Sequence, residues 1–296
     1  MKRLAGPFLI LVCTLIWGAA FVAQKTGAEH YAPFTLTCYR NVLAGLFLAA
    51  VICVRNAATG RGFSCPRREA LGGSLSGLLL FLSMAAQQAG LETTTPGVSA
   101  FLTSNYILLV PFFAWAAGRG RPKGVVWLGV FLALGGTYLI CAPASAGGGF
   151  GLGRGELLTL LCAVLFAMQI MVVDRFAPKC DVFVFSMVQL FAAGLFAAPF
   201  MLLPSEAARL TAEHFKAGWL SLFYVGILSS GIAYTLQNLG QARTPPSLAA
   251  VVMSFESVAG AVSGYLFLGD RLSSGQVAGC ALVFSAIALA SAWSDG

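Results

Sequence analysis

Ten apolar stretches, each long enough to cross a lipid bilayer, follow one another along the 296 residues of this chain. A helix needs about 20 residues to span the hydrocarbon core. Lipid offers the backbone no hydrogen-bond partners, so each stretch is predicted to be helical. The alternating pattern of a membrane barrel is absent. The predicted spans are 7–24, 33–54, 71–90, 96–116, 124–142, 156–174, 181–203, 217–239, 246–268 and 275–294.

Composition supports an integral membrane protein, because 58% of the residues are hydrophobic and only 10% are charged. The short connections leave no room for a folded extramembrane domain. The formal charge of +7 comes from residues in these connections and forms no nucleic-acid-binding patch. The eight cysteines show no C-x-x-C or His-paired spacing. We therefore expect no metal site, no cofactor and no nucleic-acid partner.

The positions of Lys and Arg predict the orientation, since cytoplasmic loops carry an excess of both. With both termini in the cytoplasm, twelve lie inside and five outside, and Arg40 falls within the membrane. The inside set is Lys2, Arg3, Arg55, Arg61, Arg67, Arg68, Arg119, Arg121, Lys123, Arg175, Lys179 and Arg243. The outside set is Lys25, Arg154, Arg209, Lys216 and Arg271.

An internal repeat organises the chain. A shift of 149 residues superposes Gly77 on Gly226, and it also superposes Gln88 on Gln237. The other matches are Thr95-Pro96 with Thr244-Pro245, Ala100 with Ala249 and, after one inserted residue, Gly129 with Gly279. Residues 1–145 and 150–296 are therefore predicted to be two copies of one five-helix unit.

The number of spans in each copy decides their relative orientation. Five crossings are an odd number, so the second copy must enter the membrane from the opposite side. The predicted fold is all-α, with ten transmembrane helices arranged as two inverted five-helix repeats. This architecture permits alternating access, in which one site between the repeats faces each side in turn. Duplication for stability alone is the alternative.

Several segments resemble the drug/metabolite transporter superfamily, specifically its ten-helix EamA-type members. The first half contains Leu15-Ile16-Trp17-Gly18-Ala19-Ala20-Phe21, Tyr39-Arg40, and the run from Thr93-Thr94-Thr95-Pro96 to Leu109-Val110-Pro111. The second half contains Ala242-Arg243-Thr244-Pro245-Pro246, Ser254-Phe255-Glu256-Ser257-Val258 and Leu268-Gly269-Asp270-Arg271. The resemblance covers nearly the whole chain, although each motif alone is degenerate.

The resemblance implies a secondary carrier of small organic solutes, often amino acids or related metabolites, in a bacterial inner membrane. Export is the direction that it favours. Family members often have Glu-Pro where this chain has Glu256-Ser257, and Gly-Glu where it has Gly269-Asp270. These departures leave the fold unaffected but prevent the transfer of any subfamily's substrate.

Two charges within predicted spans are the first candidates for transport, because charge in hydrocarbon is costly. Glu256 lies about 15 Å into its span, near the middle of a core about 30 Å thick. Arg40 lies about 10 Å deep, from where its side chain could also reach the interface. A guanidinium suits a carboxylate and a carboxylate suits an ammonium, so the pair could bind a zwitterionic solute. Glu256 could instead carry a coupling proton, and either residue could be structural.

The repeat distinguishes these charges from the duplicated scaffold. At the 149-residue shift, Arg40 aligns with Gln189 and Glu256 with Ile107, so the scaffold requires neither charge. Polar and aromatic residues inside other spans could line the same path or hydrogen-bond between helices. Those included in the predicted path are Trp17, Gln88, Asn105, Gln169, Tyr234 and Gln237.

Three functional classes remain open from the sequence. A secondary transporter is favoured, with a small-molecule substrate and the lipid bilayer as partners and a proton as the candidate coupling ion. An intramembrane enzyme would need reactive groups clustered at one depth, but His30 and His214 both fall in predicted outer loops. A channel, a scramblase or a non-transporting membrane partner is the alternative. The sequence does not determine the oligomeric state.

Overall fold

The computed structural model describes residues 5–91, 93, 96–141, 153–208, 211–268 and 272–293. Lys2, Arg3, Thr94, Thr95, Arg209 and the Gly269-Asp270-Arg271 run lie outside these residues. The α-helices are α1 Ala5–His30, α2 Pro33–Thr59, α3 Arg67–Leu91, α4 Pro96–Thr103, α5 Tyr106–Ala116, α6 Gly124–Cys141, α7 Arg154–Phe176, α8 Val182–Ala197, α9 Pro204–Ala207, α10 Ala212–Phe223, α11 Ala233–Gln241, α12 Pro246–Met253, α13 Phe255–Ser263 and α14 Ser274–Trp293. The described residues also contain two π-helical segments, Tyr224–Ile232 and Gly264–Leu268, and two 3₁₀ turns, Ala177–Lys179 and Ala198–Leu202.

Many helices have the length and surface of membrane spans. Within the described residues, seven are long and apolar enough to cross a membrane: Pro33–Thr59, Arg67–Gly90, Gly124–Cys141, Arg154–Lys179, Val182–Leu202, Ala212–Gln241 and Pro246–Phe267. Three shorter apolar helices are Ala5–Ala20, Phe101–Ala116 and Ser274–Ala290. Large apolar side chains such as Phe131, Leu195 and Leu266 are more than half exposed. Such a surface is typical of contact with lipid.

The ends of α2 and α8 follow from local sequence. Pro33 occupies the first turn of α2, where its missing N–H is not needed. Gly60 ends that helix with φ of 66°, in the left-handed region that glycine adopts at little cost. Asp181 caps α8 by accepting hydrogen bonds from the backbone N–H groups of Phe183 and Val184.

Two of the predicted spans are not continuous helices. The span over 96–116 breaks at Ser104 and Asn105, and the span over 246–268 breaks at Ser254. Asn105 Nδ2 donates to the carbonyl oxygens of Phe101 and Leu102, and Ser254 Oγ donates to that of Val251. Such side-chain bonds compete with the helical ladder. At the 149-residue shift Asn105 aligns with Ser254, so the two breaks occupy equivalent positions.

Contacts between the two halves come in exchanged pairs. A Cβ on Gly45 of α2 would lie 2.8 Å from the ring of Phe191, and one on Gly194 of α8 would lie 2.9 Å from Val42. A shift of 149 residues converts one pair into the other. To within one residue, the same exchange relates two other glycine contacts, Gly6 with Gly240 and Gly155 with Gly90. Close packing at these positions requires glycine, because a side chain would enter the neighbouring helix.

The α2–α8 and α6–α14 pairs are both antiparallel. In the first, Val42 faces Gly194 while Gly45 faces Phe191, so one helix ascends as the other descends. In the second, Gly136 contacts Val283 and Gly129 contacts Ala290. In each pair, the 149-residue shift, with one inserted residue for α6 and α14, aligns one helix with the other.

Candidate solute cavity

A cavity of about 620 Å³ lies between the two halves. Both halves of the chain contribute to its walls. The first half contributes residues of α1, α2, α3 and α5, and the second half contributes residues of α7, α11, α12 and α13. It reaches the connection between α1 and α2 at Tyr31–Pro33 and the segment around Glu206. We call this the open side. The opposite side, where Gly6 packs against Gly240, is the closed side.

Arg40 brings a positive charge into this cavity. Its side chain is only 7% exposed. Its Nε donates to Ser230 Oγ over 2.9 Å, and a terminal nitrogen donates to Ser229 Oγ over 3.1 Å. Both serines belong to the π-helical segment Tyr224–Ile232, a type of distortion that is frequent at functional sites. Among the described residues Arg40 has no ion-pair partner. Its buried guanidinium is held by neutral hydroxyl groups and can still bind an anionic group.

An aromatic wall stands beside Arg40. Trp17 Nε1 donates to the carbonyl oxygen of Ser229 over 2.9 Å. The Trp17 ring meets that of Tyr234 edge to face, with centroids 4.9 Å apart. Tyr106 and Phe166 also line the cavity. Such rings can cover the apolar part of a solute while their polar groups orient it.

Glu256 brings a negative charge into the same cavity. It lies in the first turn of α13, two residues after the break at Ser254. Within the described part of the chain, its carboxylate forms neither a hydrogen bond nor an ion pair. A carboxylate in such a place is available to an ammonium group or a proton.

Glu206 closes part of the cavity wall on the open side. Its carboxylate accepts hydrogen bonds from the N–H of Phe34, and from both the N–H and the hydroxyl of Thr35. These groups belong to the first turn of α2, so Glu206 caps that helix from α9. At the repeat shift, Phe34 and Thr35 correspond to the residues that Asp181 caps on α8.

Ion pairs join helices on the closed side. Arg55 pairs with Asp181 over 2.7 Å, and Arg119 pairs with Asp174. The backbone N–H of Asp181 donates to the buried carboxylate of Glu69. The pKa of Asp181 is lowered from its ordinary value: burial acts to raise it, but the hydrogen bond and charge of Arg55 and the N–H groups of Val184 and Phe183 outweigh that effect. These contacts fasten the ends of α2, α3 and α8 together.

The structure brings most of the predicted path residues together. Six line the cavity: Trp17, Arg40, Gln88, Tyr234, Gln237 and Glu256. Asn105 lies instead at the helix break, and Gln169 is fully buried, where it donates to Ser76 Oγ. Three further residues line the cavity and were not predicted from the sequence: Ser229, Phe166 and Glu206. Phe166 could have been found from the repeat, because it aligns with Trp17.

Comparison with protein families gives two matches along this chain. The model of the EamA-like transporter family matches residues 4–142 and again residues 153–292. The chain belongs to the EamA-like transporter family. Members of the EamA-like family are transporters rather than enzymes, so this chain is a multi-pass membrane protein with a small-molecule substrate.

Individual relatives agree with this family, and one solved structure has the same fold. An uncharacterized transporter of Archaeoglobus fulgidus is 26% identical over 98% of this chain and 87% of its own length. An S-adenosylmethionine/S-adenosylhomocysteine transporter of Chlamydia trachomatis is 25% identical over 59% of this chain and 54% of its own. A crystal structure with 21% identity superposes with a TM-score of 0.81, over 97% of this chain and 98% of that one. That structure supports the fold alone.

Proposed function

We propose that this protein is a secondary transporter that moves a small zwitterionic metabolite across the membrane by alternating access. The observation that carries the proposal is that Arg40 and Glu256 line one cavity and that neither is ion-paired among the described residues. A solute with a carboxylate and an ammonium group would supply the missing partners. Trp17 and Tyr234 would cover its apolar part.

The exchanged contacts between halves support an inverted repeat. When residue pairs interchange under one shift, a two-fold axis relates the halves. In two helix pairs, α2–α8 and α6–α14, the residue shift aligns each helix with its own partner, and both pairs are antiparallel. A two-fold axis that relates antiparallel neighbours runs perpendicular to them, and hence in the plane of a membrane that they cross. The cavity lies near this interface, where transporters built from inverted repeats bind their substrates.

We propose ten spans, with two of them broken at the cavity, in repeats of residues 1–145 and 150–296. The two family matches support this division. The excess of Lys and Arg on one side supports an inner-membrane protein with both termini in the cytoplasm. In that orientation the open side of the cavity faces away from the cytoplasm.

The substrate is proposed to be an amino acid or a related solute, with export as the favoured direction. A volume of about 620 Å³ is within the range of roughly 300–1,000 Å³ that is common for small-molecule sites. One relative is named for S-adenosylmethionine, which is itself an amino acid derivative. A proton released and rebound by Glu256 is the proposed coupling ion.

A thermal-shift screen of the purified protein tests the solute class, because a ligand that binds the folded state raises its apparent stability. Amino acids, S-adenosylmethionine, nucleobases and organic cations should be compared. We expect zwitterionic amino acids or S-adenosylmethionine to stabilise the protein and the Arg40→Gln variant to lose this response. Stabilisation by organic cations alone, unchanged in Arg40→Gln, would contradict the proposal.

A further inference from the structure

A cluster of buried polar side chains lies beyond the cavity toward the closed side. Ser186 and Gln189 of α8 and Asn238 of α11 are fully buried, and Gln241 of α11 is nearly so. Asn238 Nδ2 donates to Ser186 Oγ over 2.9 Å and to Gln189 Oε1 over 2.8 Å. These bonds join the two helices. We call the four residues Ser186, Gln189, Asn238 and Gln241 the amide cluster.

The amide cluster is poorly satisfied in this conformation. Among the described residues, Gln189 Nε2, Asn238 Oδ1 and both amide atoms of Gln241 are buried without a hydrogen-bond partner. The hydroxyl of the adjacent Thr244 is in the same state. Folded proteins leave few such groups, because each loses its hydration without compensation. The number of unpartnered polar groups in this one cluster indicates that another conformation, or bound water, provides their hydrogen bonds.

The internal repeat independently marks the same residues. Thr37, Arg40, Gln88 and Ala89 all line the cavity. A shift of 149 residues converts Thr37, Arg40 and Ala89 into Ser186, Gln189 and Asn238 of the amide cluster. The same shift converts Gln88 into Gln237, which also lines the cavity. Three of the four residues of the amide cluster therefore occupy, in the second half, positions that form the cavity wall in the first.

We propose that the amide cluster is the other half of the solute pathway, exposed when the protein opens toward its closed side. This inference rests on the proposed alternating access, in which the two halves exchange conformations. Separation of Gly6 from Gly240, and of Arg55 from Asp181, would admit water to the amides. The ligand chemistry of this half is hydrogen bonding without charge.

Arg40 in the first half aligns with Gln189 in the second half, so the two halves of the pathway should bind the solute with different affinities. A charged donor binds a carboxylate more tightly than a neutral amide does. A solute is therefore held more weakly where the amide cluster lines its path. We expect half-saturation for transport to require a higher solute concentration from the closed side than from the open side.

Side-specific cysteine labelling tests this pathway. Asn238→Cys and, separately, Gln241→Cys would be reconstituted, and a membrane-impermeant methanethiosulfonate would be applied to one side at a time. Peptide mass spectrometry reads each site, so the native cysteines can remain. We expect labelling from the closed side to exceed labelling from the open side by at least fivefold. Thr37→Cys, on the cavity wall, should show the reverse preference.

Ala286→Cys is the matched control for burial, because Ala286 is fully buried on α14 and is not among the cavity-lining residues. It should remain unlabelled from both sides. Transport of radiolabelled amino acids and S-adenosylmethionine is measured in the same vesicles, and thermal melting of each variant checks its folding.

If transport proceeds while the introduced thiols of folded Asn238→Cys and Gln241→Cys stay unlabelled, the inference is wrong and the amides hold trapped water. Labelling without transport would support the pathway but contradict the proposed carrier function. If neither labelling nor transport occurs, both the pathway and the carrier function are contradicted.

Discussion

Trp17 and Ser229 are joined across the two halves of the chain by a hydrogen bond of 2.9 Å, from the indole N–H to the backbone carbonyl oxygen. The side chain of Ser229 also accepts from Arg40. The aromatic wall and the buried charge of the cavity are therefore positioned by the same residue of the π-helical segment. Loss of the indole N–H should disturb both.

Trp17→Phe keeps an aromatic ring but removes the donor to Ser229. Loss of one buried hydrogen bond should cost about 1 kcal/mol of folding free energy, and the space left by the larger indole ring should add to this loss. Solute affinity should also fall severalfold, because Arg40 shares Ser229 as a partner. Thermal melting and ligand titration measure the two effects separately. Unchanged affinity in Trp17→Phe would show that Ser229 does not couple the wall to Arg40.

Glycines at the exchanged contacts should be intolerant of larger residues in both halves. Gly45→Ala would press on the Phe191 ring and Gly194→Ala on Val42. Overpacking of this kind costs about 1–3 kcal/mol. Gly135→Ala is the matched control, since a Cβ there meets nothing within 4 Å. Thermal melting in detergent should show losses for the first two variants only, and stability equal to Gly135→Ala would exclude tight packing between α2 and α8.

Glu256→Gln removes a titratable carboxylate from the cavity with little change in shape. We expect a pH gradient to lose its effect on solute transport. Exchange of solute without a gradient should continue, but with weaker binding, because Glu256 is also the proposed partner of the ammonium group. Fluxes in proteoliposomes at several pH values measure both. Glu206→Gln is the control, because that carboxylate caps α2 at the open side and should leave the pH response intact. An unchanged rate and pH dependence in Glu256→Gln would remove this residue from the mechanism.

Asp181→Asn isolates the ion pair with Arg55, because an asparagine can still cap α8. A folded-state pKa below the ordinary 3.8 means that the carboxylate stabilises the fold above that pH, and that this stability is lost as the pH falls through the folded-state pKa. The pair is more than one-third exposed, so the loss at pH 7 should be under about 1 kcal/mol. The difference between the melting curves of wild type and variant should shrink as the pH falls below 3.8. A difference that does not change with pH would contradict the pairing.

The sequence predicted the helical segments and the two central charges because both depend on simple energetic rules. Apolar length marks each helix, and a charge such as Glu256 within an apolar stretch stands out without any knowledge of packing. In the described part of the chain, the seven helices that are long and apolar enough to cross a membrane overlap seven of the predicted stretches, and three shorter apolar helices overlap the others. The total of ten spans remains a prediction. The division into repeats and its inversion remain predictions.

The helix breaks and the partners of Arg40 could not be predicted in the same way. The runs around Asn105 and Ser254 are apolar enough to read as continuous, and the interruption depends on local side-chain bonds to the backbone. Ser230 lies 190 positions from Arg40 and meets it only in the folded protein. Glu206 likewise gains its role from contact with an end of α2 that is distant in sequence.

Countertransport tests the central claim most directly. Proteoliposomes preloaded with an unlabelled solute that stabilises the protein should take up the same labelled solute several times faster than empty ones, and uptake should saturate. In Arg40→Gln, half-saturation should need roughly tenfold or more solute, as expected for a lost charge-assisted bond of about 1.5–3 kcal/mol. Uptake that rises linearly with concentration and ignores preloading would contradict a carrier with one alternating site.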